Sequence, residues 1–228
     1  MSPSSTRRSF APYAICIVSM AVVLTGCAST RPIAYSDLAS SSKLRPNTQD
    51  KSGRMPFSYS EPVDWRQYNQ VIVEPVAVYR GADAQFKKIS EEGKNELAQY
   101  MQEQFSEKLS EHFRVVKTGS SHTLRVQLTL TGAKKSTQFV STFTHFDLAG
   151  GPYNVVQSAR GKEGMMMGSV NYAVEIYDAS TNRLLNAYVE KQYPNAMNVK
   201  STFGSLGAAK TGISKGADAL VAQLDSRP

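Results

Sequence analysis

The amino-acid sequence predicts an α+β domain in which two helices pack on one face of an open, mostly antiparallel or mixed β-sheet. Two observations predict this class. Four segments have the β-branched composition or the two-residue apolar alternation typical of strands, and two longer segments repeat apolar residues every three to four positions, as helices do. The helices stand apart from a run of consecutive strands, and this order favours an α+β arrangement.

The first predicted elements are a strand and a helix. Gln70 to Val78 is a short, nearly continuous apolar run, typical of a strand covered on both faces. Pro75 predicts a break or bulge there, because proline has no amide hydrogen for the ladder. A helix is predicted over Ser90 to His112, with Ser90 as its N-cap. Its apolar stripe recurs at every fourth residue, as Leu97, Met101, Phe105 and Leu109.

A short element and three strands follow. Phe113 to Lys117 is predicted as a short strand or exit turn. Thr123 to Thr131 alternates apolar and polar residues, which predicts a half-buried strand, and Gly168 to Tyr177 repeats the pattern. Leu184 to Gln192 is the last strand. Asp178 to Asn182 is predicted as the turn between these two strands, because aspartate accepts loop amides and asparagine tolerates the left-handed conformation.

The last predicted helix runs from Ser205 to Leu224. Its glycines make the helix weak alone and permit close backbone approach, so we expect it to depend on packing against the sheet. The segment Ala133 to Met167 has two interpretations, a further hairpin or a long mobile loop of the kind that carries function. The apolar face of the last helix comprises Leu206, Ile213, Ala217, Leu220, Val221 and Leu224.

The first 26 residues have the layout of a cleavable export signal. Arg7 and Arg8 supply the charged start, and Ala11 to Leu24 is an apolar run too short to span a bilayer as a stable helix. Residues 6–10 also look like a twin-arginine motif. The sequence therefore leaves the export route open between the general secretory and the twin-arginine pathways.

The residues after this run resemble the lipobox of bacterial lipoproteins. Leu24-Thr25-Gly26 places small side chains before Cys27, as the processing peptidase requires, so cleavage is predicted between Gly26 and Cys27. Cys27 is then expected to carry S-diacylglyceryl and N-palmitoyl groups, and two or more acyl chains attach a protein stably to a membrane. Ala28, where sorted lipoproteins retained elsewhere have aspartate, favours an outer-membrane, periplasm-facing location.

The sequence after the anchor predicts a tether and a single domain. Residues 27–63 are rich in polar residues and proline, and are predicted as a lipid-anchored linker with a docking element at Tyr35 to Leu44. A coil of this length spans about 30–35 Å, so the domain is expected to stand off the bilayer. Residues 64–228 are predicted to form one periplasm-facing α+β domain.

Charge and cysteine content limit the function classes. The net charge is +7, but lysine and arginine look scattered along the chain, so no nucleic-acid partner is predicted. Cys16 would leave with the signal and Cys27 would become a thioether, so the mature chain would have no thiol for a disulfide or a metal site. The three histidines lack the paired spacing of a zinc site. No metal and no cofactor are therefore predicted.

No convincing catalytic set is found, so a non-enzymatic protein is predicted. Ser141, His145 and Asp147 resemble part of a hydrolytic set but lack a nucleophile elbow. Glu175 and Asp178 could be paired carboxylates for glycan hydrolysis. The simpler interpretation assigns Asp178 to the hairpin turn and Glu175 to the solvent face of its strand.

Aromatic and methionine side chains are the candidates for ligand or partner contact. The methionines have a second interpretation, favoured here, as the buried start of the next strand. An envelope binding or assembly module, through a protein partner or self-association, is the preferred function. A binding domain for lipid or a cell-wall fragment, an oligomeric pore subunit and a hydrolase follow in that order. The candidate contact residues are Phe139, Phe143, Phe146, Tyr153, Met165, Met166 and Met167.

Several segments together resemble the proteobacterial lipoproteins of the domain-of-unknown-function family 3313. The resemblance covers most of the mature chain and implies a periplasm-facing lipoprotein to which no catalytic residues are generally assigned. Asn182 replaces the glycine that usually follows the hairpin threonine. The element order is also similar to small domains of envelope assembly lipoproteins, including curli-secretion pore subunits. The matching residues are Tyr35, Ser36, Leu38, Leu44, Val63 to Trp65, Tyr68, Val71 to Val76, Gly168, Glu175, Asp178, Thr181 and Leu185.

Overall fold

A computed structural model of the chain describes residues 31–136, 156, 167–195 and 204–225. The predicted signal and lipobox lie outside these residues. The strands are β1 (Arg45–Pro46), β2 (Phe57–Ser60), β3 (Gln70–Val73), β4 (Ala77–Val78), β5 (Gln85–Lys87), β6 (Arg114–Val115), β7 (Thr123–Lys134), β8 (Ser169–Asp178) and β9 (Leu184–Gln192). The helices are α1 (Glu91–Ser110), α2 (Gly207–Asp225) and a short 3-10 helix (Trp65–Gln67).

The described strands form one open sheet of nine strands, with the main order β1-β2-β9-β8-β7-β3-β6. β7 is the central strand. One of its edges pairs antiparallel with β8, and the other pairs in parallel with β3, β4 and β5 in succession. The two long helices pack against each other and against one face, here called the helix face. The predicted α+β class, with a mixed open sheet, is confirmed.

The break predicted at Pro75 separates β3 from β4. The Glu74 amide still donates to Val126 of β7, whereas the Val76 amide donates to the Gln102 side chain of α1. Burial differs from the prediction, because only Val71 of β3 is fully buried and its neighbours are partly exposed. The strand is therefore not covered on both faces.

The predicted helix α1 is confirmed, together with its cap and its apolar stripe. Ser90 Oγ accepts a hydrogen bond from the Gly93 amide at 3.3 Å, as an N-cap residue does. The stripe is completely buried, and the Phe105 ring meets the edge of the Tyr172 ring of β8 at 5.9 Å. The stripe consists of Leu97, Met101, Phe105 and Leu109, all 0% exposed.

Helix α2 lies close to the sheet because two of its glycines have no side chain. A Cβ atom at Gly216 would overlap the Tyr172 hydroxyl, and one at Gly212 would lie 2.9 Å from Val170 Cγ1. Both β8 residues point to the helix face. The expectation that this helix depends on packing against the sheet agrees with its buried face, which includes Ile213, Leu220 and Leu224.

The β8–β9 hairpin has the predicted turn. Asn182 adopts a left-handed φ of 57°, which asparagine tolerates better than most residues. Asp178 Oδ1 accepts hydrogen bonds from the Ser180 and Thr181 amides at 3.0 and 2.9 Å. The turn is therefore held by one carboxylate that satisfies several loop donors.

The face opposite the helices, here called the second face, is covered by the N-terminal part of the chain. Tyr35, Leu38 and Leu44 are buried there, and β2 extends the sheet by pairing antiparallel with β9. The predicted tether over residues 27–63 and the predicted domain start at Asp64 are therefore corrected, because residues 35–60 belong to the folded unit. These residues pack on Ala173, Tyr177, Leu184, Ala187 and Val189.

We expect Leu44→Ala to lower the free energy of unfolding by about 2–4 kcal/mol, since it removes a buried side chain and leaves a cavity. Leu44 is 5% exposed, whereas Ile33 is 38% exposed. Ile33→Ala is therefore the matched control and should change stability by less than about 0.5 kcal/mol. Urea unfolding measures the difference, and limited proteolysis should show faster cleavage within residues 31–60 of the Leu44 variant. Equal stability of the two variants would contradict docking of this segment.

Candidate functional site

Most of the residues singled out from the sequence lie outside the described part of the chain. Met167 is the exception among the candidate contact residues, and its side chain is 0% exposed. It lies two residues before β8, so in this fold it belongs to the buried approach to that strand and is not available to a partner. The residues outside the described ranges are Gly26, Cys27, Phe139, Ser141, Phe143, His145, Phe146, Asp147, Tyr153, Met165 and Met166.

The chain enters the fold at the end of the sheet where β5 and β7 stop and β8 starts, here called the anchor end. Gln85 of β5 holds it there, because Gln85 Nε2 donates to the Arg31 carbonyl at 3.0 Å and Gln85 Oε1 accepts from Tyr35 Oη at 3.0 Å. Burial raises the pKa of the Tyr35 hydroxyl to about 12, so it remains a donor at neutral pH. Arg31 follows Cys27 by four residues, which span at most about 14 Å.

Two further segments leave the described fold at the anchor end. The Ser136 amide donates to the Ser205 carbonyl at 3.1 Å, and Ser136 Oγ accepts from the Gly168 amide at 3.2 Å. Residues 137–166 and the chain before Gly204 are therefore attached beside the point where the N-terminal chain enters. The segment with the predicted aromatic contacts thus begins and ends at the same end of the sheet as the predicted anchor.

A group of cations lies at this end, and the spacing of these residues along the chain does not reveal it. Lys87 of β5 and Lys134 of β7 are partners in register, while Lys88 and Lys135 follow them directly. With Arg31 they form a cluster here called the basic rim. Lysine and arginine look scattered in the sequence because parallel pairing of β5 with β7 joins residues that are distant along the chain. The cations could have been grouped from the sequence only if β5 and its pairing with β7 had been predicted.

Glu175, expected on the solvent face, is instead buried. It is 1% exposed, and its Oε1 accepts a hydrogen bond from the Ser40 amide at 2.6 Å. The expectation was wrong because the second face is covered by the N-terminal segment. Glu175 also borders an open groove of about 400 Å³, which lies between residues 37–39 and 77–81 and has Gln127 and Thr129 in its lining.

Asp178 has the predicted role in the turn. Burial disfavours its ionised form, but hydrogen bonds from Ser180, Thr181 and Tyr68 outweigh that effect and hold the pKa of the carboxyl well below its ordinary value. Tyr68 Oη donates to Asp178 Oδ2 at 2.8 Å. Burial and this carboxylate raise the pKa of Tyr68 to about 12. Asp178 is therefore an acceptor for structural donors, and its interactions explain its position without a catalytic role.

Glu190 is a buried carboxyl between β9 and α2. It is 6% exposed, and it accepts hydrogen bonds at 2.7 Å from Tyr172 Oη and from Gln192 Nε2. Burial raises the pKa of Glu190, and these two donors together with nearby Arg54 only partly oppose that effect. Gln192 Oε1 is buried without a hydrogen-bond partner. A half-turn of this amide would let Gln192 Oε1 accept the proton of a neutral Glu190.

Across residues 31–136, 167–195 and 204–225, no three His, Cys, Asp or Glu side chains come together in a way that could hold a metal ion. Neither long helix of that region combines the length and the apolar character that crossing a membrane requires.

We expect Glu190→Gln to increase the free energy of unfolding at pH 8 and to leave it nearly unchanged at pH 4. The raised pKa means that the folded state binds more protons than the unfolded state above pH 4.5, the ordinary value. Stability from a protonated Glu190 is therefore lost as the pH rises, and glutamine does not have this loss. Urea unfolding at both pH values measures the effect. Exposed Glu103→Gln is the control, and an equal pH response of both variants would contradict a neutral Glu190.

Comparisons with known proteins give low similarity to solved structures. The PelC dodecamer from Paraburkholderia phytofirmans is 10% identical, with coverage of 75% of this chain and 96% of that chain and a TM-score of 0.38. A point variant of that dodecamer has the same identity and coverage and a TM-score of 0.39. A family DUF330 protein from Xanthomonas campestris is 9% identical, with coverage of 67% and 81% and a TM-score of 0.35. No curated protein matches the sequence.

The family comparison covers most of the chain. The family model described as "Protein of unknown function (DUF3313)" matches residues 34–220. The match begins beside Tyr35, where the chain joins the buried cluster of the second face, and it ends within α2. This confirms the resemblance found in the sequence, and the chain belongs to the DUF3313 family.

Proposed function

We propose that this protein is an outer-membrane lipoprotein, anchored through acylated Cys27 and facing the periplasm, that acts as a non-enzymatic binding or assembly module for an envelope partner. The observation that carries the proposal is the lipobox-like Leu24-Thr25-Gly26-Cys27 at the end of a short apolar run. Its layout follows that of a lipoprotein signal, with a charged start, an apolar run and then the cysteine.

The structure supports this proposal through a contact close to Cys27 in the sequence. The carbonyl of Arg31, four residues after Cys27, accepts a hydrogen bond from Gln85 of the folded unit. A chain cut before Cys27 would have only Ala28 to Thr30 between the acylated residue and the folded unit. Two or more acyl chains make dissociation slow, because each buried methylene contributes about 0.8 kcal/mol. The folded domain would therefore be held permanently against the membrane surface.

The described carboxylates support a binding role over catalysis. Glu175 and Asp178 were considered as a hydrolytic pair, yet each accepts hydrogen bonds that hold local structure. Glu190, a further buried carboxyl whose pKa is raised by burial, lies between the sheet and α2 and is 6% exposed. A catalytic acid or base must reach its substrate, so the environments of these three residues favour structural roles.

Anchoring is tested with Cys27→Ser and the matched control Cys16→Ser, which changes a cysteine inside the signal. The wild-type and Cys16 variants should be recovered in the outer-membrane fraction, with an N-terminal peptide that begins at acylated Cys27. The Cys27 variant should accumulate as an uncleaved, unacylated precursor, because the thiol that takes the lipid is missing. Intact-mass analysis and density-gradient fractionation are the measurements. An unmodified mature N-terminus, or one that begins elsewhere, would refute the anchor.

The binding role is tested by crosslinking the acylated protein in intact cells, followed by denaturing purification. We expect discrete crosslinked species that contain either a second copy or another envelope protein, because an assembly module spends much of its time in contact with its partner. The Cys27→Ser precursor, held in a different membrane, should lose these species. Recovery of uncrosslinked monomer alone, with a reagent that labels the lysines efficiently, would count against this role.

A further inference from the structure

We propose that the basic rim (Arg31, Lys87, Lys88, Lys134 and Lys135) lies against the anionic phospholipid headgroups of the bilayer that holds the anchor. This inference rests on the proposed acylation of Cys27 and extends it, since it states which surface of the domain faces the membrane. Its starting point is the short sequence separation between Cys27 and Arg31, together with the contact that Arg31 makes with Gln85.

The geometry places the rim close to the anchor. Four residues limit the distance from Cys27 to Arg31 to about 14 Å. Gln85 and Lys87 are two residues apart on β5, so their side chains point to the same face of the sheet. Lys134 is the register partner of Lys87. Lys87 and Lys134 therefore lie at the end of the sheet where Gln85 binds the incoming chain.

Four of the five cations of the rim are available for headgroups. Among the residues that the structure describes, Arg31, Lys87, Lys88 and Lys135 form no ion pair, and Lys87 and Lys88 are exposed. At the other end of the sheet, two arginines contact carboxylates, as Arg66–Asp64 at 2.8 Å and Arg183–Glu61 at 2.8 Å.

Asp83, a carboxylate two residues before β5, already accepts hydrogen bonds within the fold. Asp83 accepts hydrogen bonds from Tyr79 Oη at 2.6 Å and from the Ser36 amide at 3.0 Å. These interactions lower the pKa of Asp83, with the hydrogen bond from Tyr79 as the largest contribution. Asp83 thus reduces the local positive charge but is committed to holding the N-terminal segment in place. The charge of the rim remains predominantly positive.

The bilayer is the occupant that fits this position. Lysine and arginine are attracted to an anionic membrane only within about a Debye length of it, which is about 8 Å at physiological ionic strength. The covalent anchor would keep the rim near that range, so no separate encounter is needed. A soluble acidic protein would have to enter the narrow space between the rim and the bilayer. The position of the rim beside the proposed anchor therefore favours headgroups over a protein partner at this surface.

The test uses the acylated protein, reconstituted in vesicles of zwitterionic phospholipid alone or with about one third phosphatidylglycerol. Brief amine labelling followed by mass spectrometry gives a modification rate for each lysine. We expect Lys87 and Lys88 to react several-fold more slowly in the anionic vesicles at low salt, because headgroups cover them. Lys117, an exposed lysine two residues after β6, is the internal control and should react equally in both vesicles.

A charge-reversal pair provides the second measurement. Lys87→Glu combined with Lys88→Glu should abolish the difference between the two vesicle types at Lys135, since each cation near the surface contributes about a fivefold preference. Lys117→Glu should leave that difference intact. Both positions of the double variant are exposed, so unchanged thermal unfolding of the variants is the check on folding.

The outcomes separate this inference from the proposed function. Labelling rates at Lys87 and Lys88 that are equal in both vesicles, in protein shown by intact mass to be acylated, would overturn the inference and leave the anchor standing. An equal decrease at Lys117 would also overturn it, because the protection would then not belong to the rim. A mature protein without acyl groups would instead refute the proposed function. A difference between the two vesicle types would then measure the attraction of the rim to anionic headgroups without an anchor.

Discussion

Burial of the β8–β9 hairpin on both faces is the constraint on which the rest of the structure depends. Every residue of β8 and of β9 is buried, although these strands alternate in sequence as if one face met solvent. The helices cover one face, and the N-terminal segment covers the other. Without that segment, Ala173, Tyr177 and Val189 would lose their apolar neighbours. Docking of residues 35–60 is thus required by the apolar character of the second face.

Two-sided burial also explains the unusual polar interior. A buried charge or amide is costly unless it has hydrogen-bond partners. Glu175 has the Ser40 amide, and Asp178 has the turn amides and Tyr68. Burial raises the pKa of Glu190, which favours its neutral form where donors do not fully compensate. Carboxylates that resemble an active site in the sequence therefore connect the covering segments to the sheet.

The docked segment also connects the fold to the proposed function. A free tether of residues 27–63 would let the domain face any direction. A chain fixed at Arg31 would instead, under the proposed acylation of Cys27, bring one end of the sheet to the membrane. Residues 137–166 are attached at that same end through Ser136 and Gly168. The basic rim and the residues that flank this segment thus lie at one end of the sheet. Under the proposed anchoring, the opposite end, with Asp178 and the hairpin turn, would face the periplasm.

The sequence by itself determined the elements whose signal is local. The stripe of α1, its Ser90 cap, the alternation of β7 and the bounds of β9 agree with the structure, because each is set by neighbours within a few residues. Tertiary structure alone decided the cover of the second face, the burial of Glu175 and the position of the basic rim. Parallel pairing of β5 with β7 and docking of Tyr35 on a distant hairpin join residues far apart in the chain. The free energy of such contacts depends on burial in the assembled sheet, which local periodicity does not encode.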